Sequence, residues 1–265
     1  MTDSYDDIHG NVRHWLTTLG KFLDNPVFYD VGANKGMFVK TLSAHASHIV
    51  AFEPVLETSG QLKDMVASIE SVPVDVIVAG LGSGREDLVI HQYSDDTFNS
   101  LYDRGEEEMS HYALERMGSE TVHVISLDSL LSSDPDTLAV AGLAEPPPPP
   151  GLIKIDIEGA ELSALEGMGH TLSTHAPFIV CEYSVDNTAN AGYSREEILR
   201  FLNHHGYSMY GLFRNEDLHL HRALGPRAIW NIIAVPGHRH AGFQRRFDSV
   251  IRRETGHDPQ ATDSA

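Results

Sequence analysis

The sequence predicts an α/β fold in which helices cover both faces of a mostly parallel sheet. Short apolar runs alternate with segments of helical periodicity through the first 80 residues, an order typical of parallel sheets. The runs show little alternation of polar and apolar residues, as strands buried on both faces do. The length of 265 residues suits one large domain with a well-buried core.

The leading segment, 9–24, is predicted to be an amphipathic helix because its apolar residues recur at helical spacing. Asn25 and Pro26 end this helix, since the residue before a proline is pushed out of the helical region. Strands and helices are then expected to alternate. The predicted strands of this part are 27–32, 48–54 and 74–80. A loop that runs into a helix is predicted at 33–46, and a second helix is predicted at 55–70.

The next part is predicted to begin with a polar, irregular stretch, 81–120, that contains a helix near 105–117. Five consecutive prolines, 146–150, predict a stiff extended segment, which either borders a substrate entrance or is an inert spacer. A helix over 194–206 is expected to begin with a capping box of Ser194 and Glu197. Strands are predicted within 122–131, 152–161 and 176–184, and a closing antiparallel pair is predicted at 207–213 and 228–236.

The domain organisation follows from these elements. Residues 1–26 are expected to form an N-terminal helical segment, 27–240 the main domain, and 241–265 a C-terminal helix with a frayed tail. Inside the main domain, 91–120 is predicted to be an irregular segment on the substrate side. Its aromatic and polar residues either form a lid or pack as an ordinary loop. The proline-rich loop is placed at 145–151.

Composition excludes several classes of function. The 19 basic and 38 acidic residues give a net charge of −19, and such a surface repels the phosphate backbone of nucleic acids. The single cysteine, Cys181, excludes an internal disulfide and a cysteine-rich zinc site. No run approaches the ~18 apolar residues of a membrane span, and the acidic N-terminus does not resemble a signal peptide. A cytoplasmic protein is expected, and a homo-oligomer stays open.

The strongest motif is DVGANKG, 30–36, directly after the first strand. Glycines let the chain turn sharply and approach a ligand closely, and open α/β sheets bind ligands at this edge. Asn34 occupies the place of the middle glycine of a dinucleotide fingerprint, which favours a group smaller than a pyrophosphate. Asp30 would repel a phosphate and attract an ammonium group, such as the amino end of a methionine moiety. The motif therefore predicts a cofactor loop on a Rossmann-like sheet.

An acidic residue ends the second strand. Glu53 follows Gly32 by 21 residues and is followed by Pro54, which terminates the strand. A carboxylate at this place accepts hydrogen bonds from the hydroxyl groups of a ribose. Glu53 and Pro54 are therefore candidate cofactor-binding residues.

Three charged residues stand together at the end of a buried strand. Lys154, Asp156 and Glu158 share one strand face, where unpaired charges would cost free energy. Asp156 and Glu158 are candidates to position a substrate hydroxyl or to act as general base, with Asp156 the first choice. Glu182, at the end of the next strand, is expected nearby. Asp156 and Glu182 are thus also candidate ligands of a divalent cation such as Mg²⁺.

At these residues the chain resembles the FkbM family of S-adenosylmethionine-dependent methyltransferases. The resemblance spans about 27–236 and is carried chiefly by FYDVGANKGMF (28–38), VAFEP (50–54) and LIKIDIEGAELSALEGM (152–168), in this order. It implies a class I methyltransferase sheet of seven strands with an antiparallel final strand. It also implies a cofactor loop of Asp30, Gly32, Ala33, Asn34 and Gly36, with Glu53 as the ribose-binding acid and Asp156 and Glu158 lining the active site.

The expected activity is methylation of a hydroxyl on a small molecule, a sugar or a secondary metabolite, with S-adenosylmethionine as methyl donor. Two alternatives stay open: an NAD-dependent oxidoreductase on the same architecture, and an inactive methyltransferase-like scaffold. The missing middle glycine counts against the oxidoreductase. The intact Asp30, Glu53 and Asp156 count against loss of activity.

Overall fold

The organising element of the computed structural model is a seven-stranded sheet. The structure describes residues 5–213, 229–240, 242, 243 and 245–247. In chain order the strands are β1 (Val27–Val31), β2 (His48–Phe52), β3 (Val74–Ile77), β4 (Gly80–Leu81), β5 (Glu86–Tyr93), β6 (Arg116–Ile125), β7 (Leu152–Ile155), β8 (Phe178–Glu182), β9 (Tyr207–Phe213) and β10 (Ile229–Pro236). The large sheet has the order β3-β2-β1-β7-β8-β10-β9. The first five of these are parallel, and β10 runs antiparallel to β8 and β9. The predicted mostly parallel sheet of seven strands is confirmed.

Helices cover both faces of this sheet, as predicted. They are α1 (Tyr5–Phe22), α2 (Met37–Leu42), α3 (Leu56–Val66), α4 (Glu106–His111), α5 (Leu127–Leu131), α6 (Pro135–Ala141), α7 (Glu161–Glu166), α8 (Gly169–Thr174), α9 (Val185–Asn190), α10 (Glu196–His204) and α11 (Gly237–His240). Neighbouring residues of β1 enter different cores, because side chains alternate across a strand. Phe28 packs with α1, α2 and α3, and Tyr29 packs with α5, α7 and α10.

The helix boundaries follow from local chemistry. Trp15, Leu16 and Leu19 form the buried stripe of α1, as the periodicity predicts. The backbone N–H of Ser194 donates to Glu197 Oε1 at 3.0 Å, which is one half of the predicted capping box. Phe247 stacks on Trp15 with ring centroids 5.3 Å apart, so part of the predicted C-terminal helix packs on α1. The predicted frayed tail lies outside the described residues.

The prediction that 91–120 is irregular is wrong at both ends. A second sheet of order β4-β6-β5 occupies this part, with β5 and β6 antiparallel. Between them lie only a 3₁₀ turn, Asp96–Phe98, and α4, which is shorter than the predicted helix at 105–117. Most side chains of β5 and β6 are exposed or half-buried. Each of these strands has one face in contact with solvent, so its polar composition resembles that of an irregular segment.

The proline-rich loop lies at the edge of the sheet where β1 and β7 begin. Gly151 donates its N–H to Val27 O, and the Tyr29 hydroxyl donates to Pro148 O at 2.9 Å. The candidate site lies at the opposite edge, where these strands end. Of the two alternatives for this loop, a place beside the substrate entrance is therefore wrong.

In the part of the chain that the structure describes, no helix has the length and apolarity to cross a bilayer.

Candidate active site

A cavity of about 720 Å³ opens at the carboxyl ends of β1, β2, β7 and β8. Ligands bind at this edge in open α/β sheets, and the volume is of the size that small-molecule sites have. One wall consists of the loop after β1 and the end of β2. The opposite wall consists of the segments after β7 and β8, and the strand β6 and the 3₁₀ turn close the cavity from the side.

The loop after β1 has the tight geometry that its glycines predict. Gly32 has φ of +82°, and a Cβ atom there would lie 2.0 Å from the carbonyl oxygen of Asp156. Only glycine fits such a close approach of two chain segments. Gly32, Ala33 and Asn34 line the cavity. Gly36, with φ of +87°, faces Met65 of α3 instead, so its role is to let the loop turn and pack.

Asp30 does not reach the cavity. Its side chain is fully buried, and it is not among the lining residues. Lys154 lies directly opposite on β7, with Nζ 3.6 Å from Asp30 Oδ1. Burial raises the pKa of Asp30 to about 6, and the Lys154 ammonium opposes that shift. The expected contact between Asp30 and a ligand ammonium group is therefore wrong, since a protein ammonium already occupies that place.

Glu53 stands at the cavity wall, as predicted for a ribose-binding acid. Its two carboxylate oxygens accept the backbone N–H groups of Asn34 and Val55, each at 3.0 Å. These two bonds fix its orientation, and each oxygen retains a free lone pair. Burial raises the pKa of Glu53 to about 7, against the two hydrogen bonds. Pro54 lines the cavity beside it.

The structure brings Asp156, Glu158 and Glu182 together on the opposite wall. One carboxylate oxygen from each lies within 4.8 Å of the others. Lys154 Nζ lies 3.4 Å from Asp156 Oδ2, so this lysine stands between Asp30 and Asp156. The oxygen spacing is compatible with a divalent cation, and two of the three residues, Asp156 and Glu182, are the candidate ligands that the sequence suggested.

Glu158 is already engaged by protein donors. The guanidinium of Arg104 forms an ion pair with it, and Asn187 Nδ2 donates to its Oε2 at 2.8 Å. Burial and the neighbouring Asp156 raise the pKa of Glu158 to about 8, although Arg104 opposes them. Asp156 has neither donor and is 25% exposed at the cavity. Of the two predicted bases, Asp156 is therefore the one with a free face.

Sequence reasoning missed Arg104 and Asn187, which organise this wall. Arg104 is only 2% exposed, pairs with Glu158 and Glu108, and lies over the Phe98 ring at 5.0 Å. Asn187, near the start of α9, donates to both Glu158 and Glu182. Nothing in the local pattern marks either residue as part of the site, because Glu158 lies 54 residues from Arg104 and 29 residues from Asn187 in the chain.

Replacing Arg104 is expected to destabilise the fold. Arg104→Met leaves the half-buried carboxylates of Glu158 and Glu108 without their cation, and such a loss lowers the free energy of unfolding by about 3 kcal/mol. Arg116→Met is the matched control, because the ion pair of Arg116 with Asp103 is exposed to solvent and such surface pairs contribute little to stability. Urea unfolding of both variants measures the difference, and equal losses would contradict the assigned role of Arg104.

Comparisons with known proteins complete the description of this site. The model of the methyltransferase FkbM domain matches residues 30–209, and no curated protein matches the chain. Solved structures with a similar fold include a methyltransferase FkbM from Methylobacillus flagellatus (16% identity, TM-score 0.48, covering 80% of this chain and 44% of that one). A precorrin-6y C5,15-methyltransferase from Geobacter metallireducens is 15% identical (TM-score 0.44, 84% and 88%). A putative methyltransferase from Streptococcus mutans, solved with SAH, is 9% identical (TM-score 0.44, 84% and 97%).

This chain therefore spans less than half of the Methylobacillus protein. The family match begins at Asp30, in the cofactor loop, and continues through the segment of Asp156 and Glu158 to β9. It covers about two thirds of the chain and both walls of the cavity. The chain belongs to the family of methyltransferases that is defined by the FkbM domain.

Proposed function

We propose that this chain transfers a methyl group from S-adenosylmethionine to a hydroxyl group of a small molecule, a sugar or a secondary metabolite. The supporting observation is that Glu53 and Asp156, which stand on opposite walls, line the same cavity. One wall has the features of a nucleoside site and the other has a carboxylate with a free face. Family membership gives methyl transfer as the reaction class.

The cofactor wall fits the proposed donor. Glu53 would accept the ribose hydroxyls, because its oxygens are oriented by backbone N–H groups and retain free lone pairs. The cradle formed by Gly32, Ala33 and Asn34 would hold the methionine part, since all three residues line the cavity. When bound, S-adenosylmethionine supplies a methyl group that is activated by a positively charged sulfur.

The role that we propose for Asp156 is that of general base. As the acceptor oxygen bonded to the methyl carbon and the carbon–sulfur bond of the donor broke, that oxygen would become positively charged and strongly acidic, and Asp156 would accept its proton. The products are a methyl ether and the demethylated donor. Lys154 positions Asp156 from behind at 3.4 Å. The remaining task of the protein is alignment of the reacting groups.

The acceptor side of the cavity supports a small hydroxylated ligand. Phe98 and Tyr112 line it with ring centroids 5.0 Å apart, and aromatic faces suit the apolar faces of sugars. Asn99 adds a polar group. The lid that the sequence suggested would thus consist of Phe98, Asn99 and Tyr112. Tyr93 is not part of it, because its side chain packs inside the small sheet and its hydroxyl oxygen accepts a hydrogen bond from the backbone N–H of Arg104.

A divalent cation at Asp156 and Glu182 is a separate hypothesis about the same reaction. It would polarise the acceptor oxygen in place of a general base. Methyl transfer measured with added Mg²⁺ and with a chelator tests it. Activity that is unchanged by the chelator would exclude the hypothesis.

Calorimetric titration tests the cofactor assignment. S-adenosylhomocysteine is expected to bind with micromolar affinity, and NAD is expected not to bind, because Asn34 replaces the glycine that admits a pyrophosphate. Preferential binding of NAD would favour the oxidoreductase. Binding of the homocysteine compound without methyl transfer to any hydroxyl acceptor would favour the inactive scaffold.

A further inference from the structure

One side chain on the acceptor wall lacks a partner. Asn231, on β10, is only 8% exposed and lines the cavity. Its side-chain amide has no hydrogen bond to any residue in the described ranges. Because Asn231 lines the cavity, its side-chain amide is available to hydrogen-bond a ligand there.

Asn231 lies beside a carboxylate. It is directly opposite Glu182 in the antiparallel pair of β10 and β8, and directly opposed residues project from the same face of a sheet. Glu182 accepts both of its hydrogen bonds from Asn187 Nδ2, at 3.0 and 3.1 Å. Its carboxylate retains further lone pairs. An amide oxygen and a carboxylate thus form adjacent acceptors.

The described lining of the cavity has more carboxylates than cations. Each of its three cationic side chains is already paired with a carboxylate: Lys35 with Asp96, Arg104 with Glu158, and Lys154 with Asp156. Within the described ranges, no cationic side chain forms a salt bridge with Glu182 or Asp186, although Glu182 acts on the Lys154 ammonium electrostatically. Burial and the neighbouring Glu158 and Asp156 raise the pKa of Glu182 well above its usual range. The acceptor side therefore has carboxyl groups without a salt-bridged cation, and a cationic ligand bound there would favour the ionised form of Glu182.

We infer that the acceptor carries a protonated amino group besides the hydroxyl that is methylated, an inference that rests on the proposed function. Glu182 and Asn231 bind this amino group. An ammonium offers three donors and no acceptor, which complements a carboxylate and an amide oxygen. Asp186 is exposed at the rim of the cavity. Its carboxylate attracts the ammonium group electrostatically and does not have to be removed from water to do so. The substrate class is a hydroxylated amine, such as an amino sugar.

Two other occupants fit less well. An anionic acceptor would face carboxylates that have no cation to share. A divalent cation would have to displace the Asn187 amide, whose N–H groups point at Glu158 and Glu182 within 2.8–3.1 Å. An ammonium instead joins these donors, because the carboxylate oxygens each accept more than one hydrogen bond.

Three probes of similar shape and different charge test the inference. Glucosamine, glucose and glucuronate are titrated into the protein saturated with S-adenosylhomocysteine, and their dissociation constants are measured by NMR. Glucosamine is expected to bind at least ~10-fold more tightly than glucose, a difference within the range of one charge-assisted hydrogen bond. Glucuronate is expected to bind least. The ratio of glucosamine to glucose affinity is expected to fall toward one in Glu182→Gln and in Asn231→Leu.

Asp87→Asn is the matched control, because Asp87 is an exposed carboxylate of β5 that pairs with His123 outside the cavity. Its affinity ratio should equal that of the unmodified protein. A purely structural effect of the two test variants would weaken all three probes together and leave the ratio unchanged. Equal affinity for glucosamine and glucose, no binding of any probe to the loaded protein, or displacement of glucosamine by Mg²⁺ would each overturn the inference. Failure to bind S-adenosylhomocysteine would instead count against the proposed function.

Discussion

Asp156→Asn is expected to lower kcat by about 10²–10⁴-fold, the contribution that a positioned general base makes. Asparagine has nearly the same size and cannot accept the proton of the acceptor oxygen. The affinity for S-adenosylhomocysteine is expected to change little, because the residues proposed to hold that ligand lie on the other wall. The measurement is the steady-state rate of methyl transfer once an acceptor is found, beside calorimetry of the same variant.

The substitution is interpretable because Lys154 keeps a partner. Its Nζ lies 3.6 Å from Asp30 in addition to its contact with Asp156, so no unpaired buried cation is created. Glu158→Gln is expected to act differently, since Glu158 is held by Arg104 and Asn187. That variant should lose stability more than catalysis. A kcat above one tenth of the original value in Asp156→Asn would remove Asp156 as the base.

The sequence was sufficient to predict those parts of the site that lie on short, contiguous motifs. The loop at Gly32, the strand-end Glu53 and the strand-end Asp156 all line one cavity, because parallel strands bring their carboxyl ends to the same sheet edge. The topology of the sheet thus brings three motifs that are separate in the sequence to one site. The same logic placed Glu182 near Asp156.

What could not be predicted depends on contacts between distant segments. Asp30 has the sequence position of a ligand-binding acid, but its strand register places Lys154 opposite it and closes it off from the cavity. Arg104 lies in a polar stretch, and only the fold brings it to Glu158, 54 residues later. Asn231 gains its significance only from its pairing with Glu182. Register and long-range pairing are not encoded in any local pattern of residue types.

Glu53→Gln is expected to weaken the binding of S-adenosylhomocysteine by about 10–100-fold, since hydrogen bonds to a charged group contribute about 1.5–3 kcal/mol. The loss follows from replacing a carboxylate, which accepts at both oxygens, with an amide that accepts at one. Glu57→Gln removes the same charge from the exposed first turn of α3, outside the cavity. Its affinity should equal that of the unmodified protein. Equal losses in both variants would show a general charge effect.

The raised pKa of Glu53 gives this prediction a dependence on pH. The ribose hydroxyls would donate to the ionised carboxylate, so binding favours loss of its proton. With a pKa of about 7 in the free protein, affinity should be constant above pH 8 and fall toward tenfold per pH unit below pH 7. The Gln variant should lack this slope. A slope that persists in Glu53→Gln would assign the titration to another group.

The same proton acts on folding in the opposite direction. The folded pKa of Glu53 lies above its ordinary value of 4.5, so between these values the folded state binds more protons than the unfolded state. The contribution of Glu53 to stability is therefore present at low pH and is lost as the pH rises through about 7. Without ligand, this group should make the protein melt at a lower temperature at pH 8 than at pH 6, although its cofactor affinity is higher at pH 8. Both trends, the lower melting temperature and the higher cofactor affinity at pH 8, have one cause. Burial of the ionised Glu53 carboxylate destabilises the fold, and the same ionised form is needed to bind the ribose.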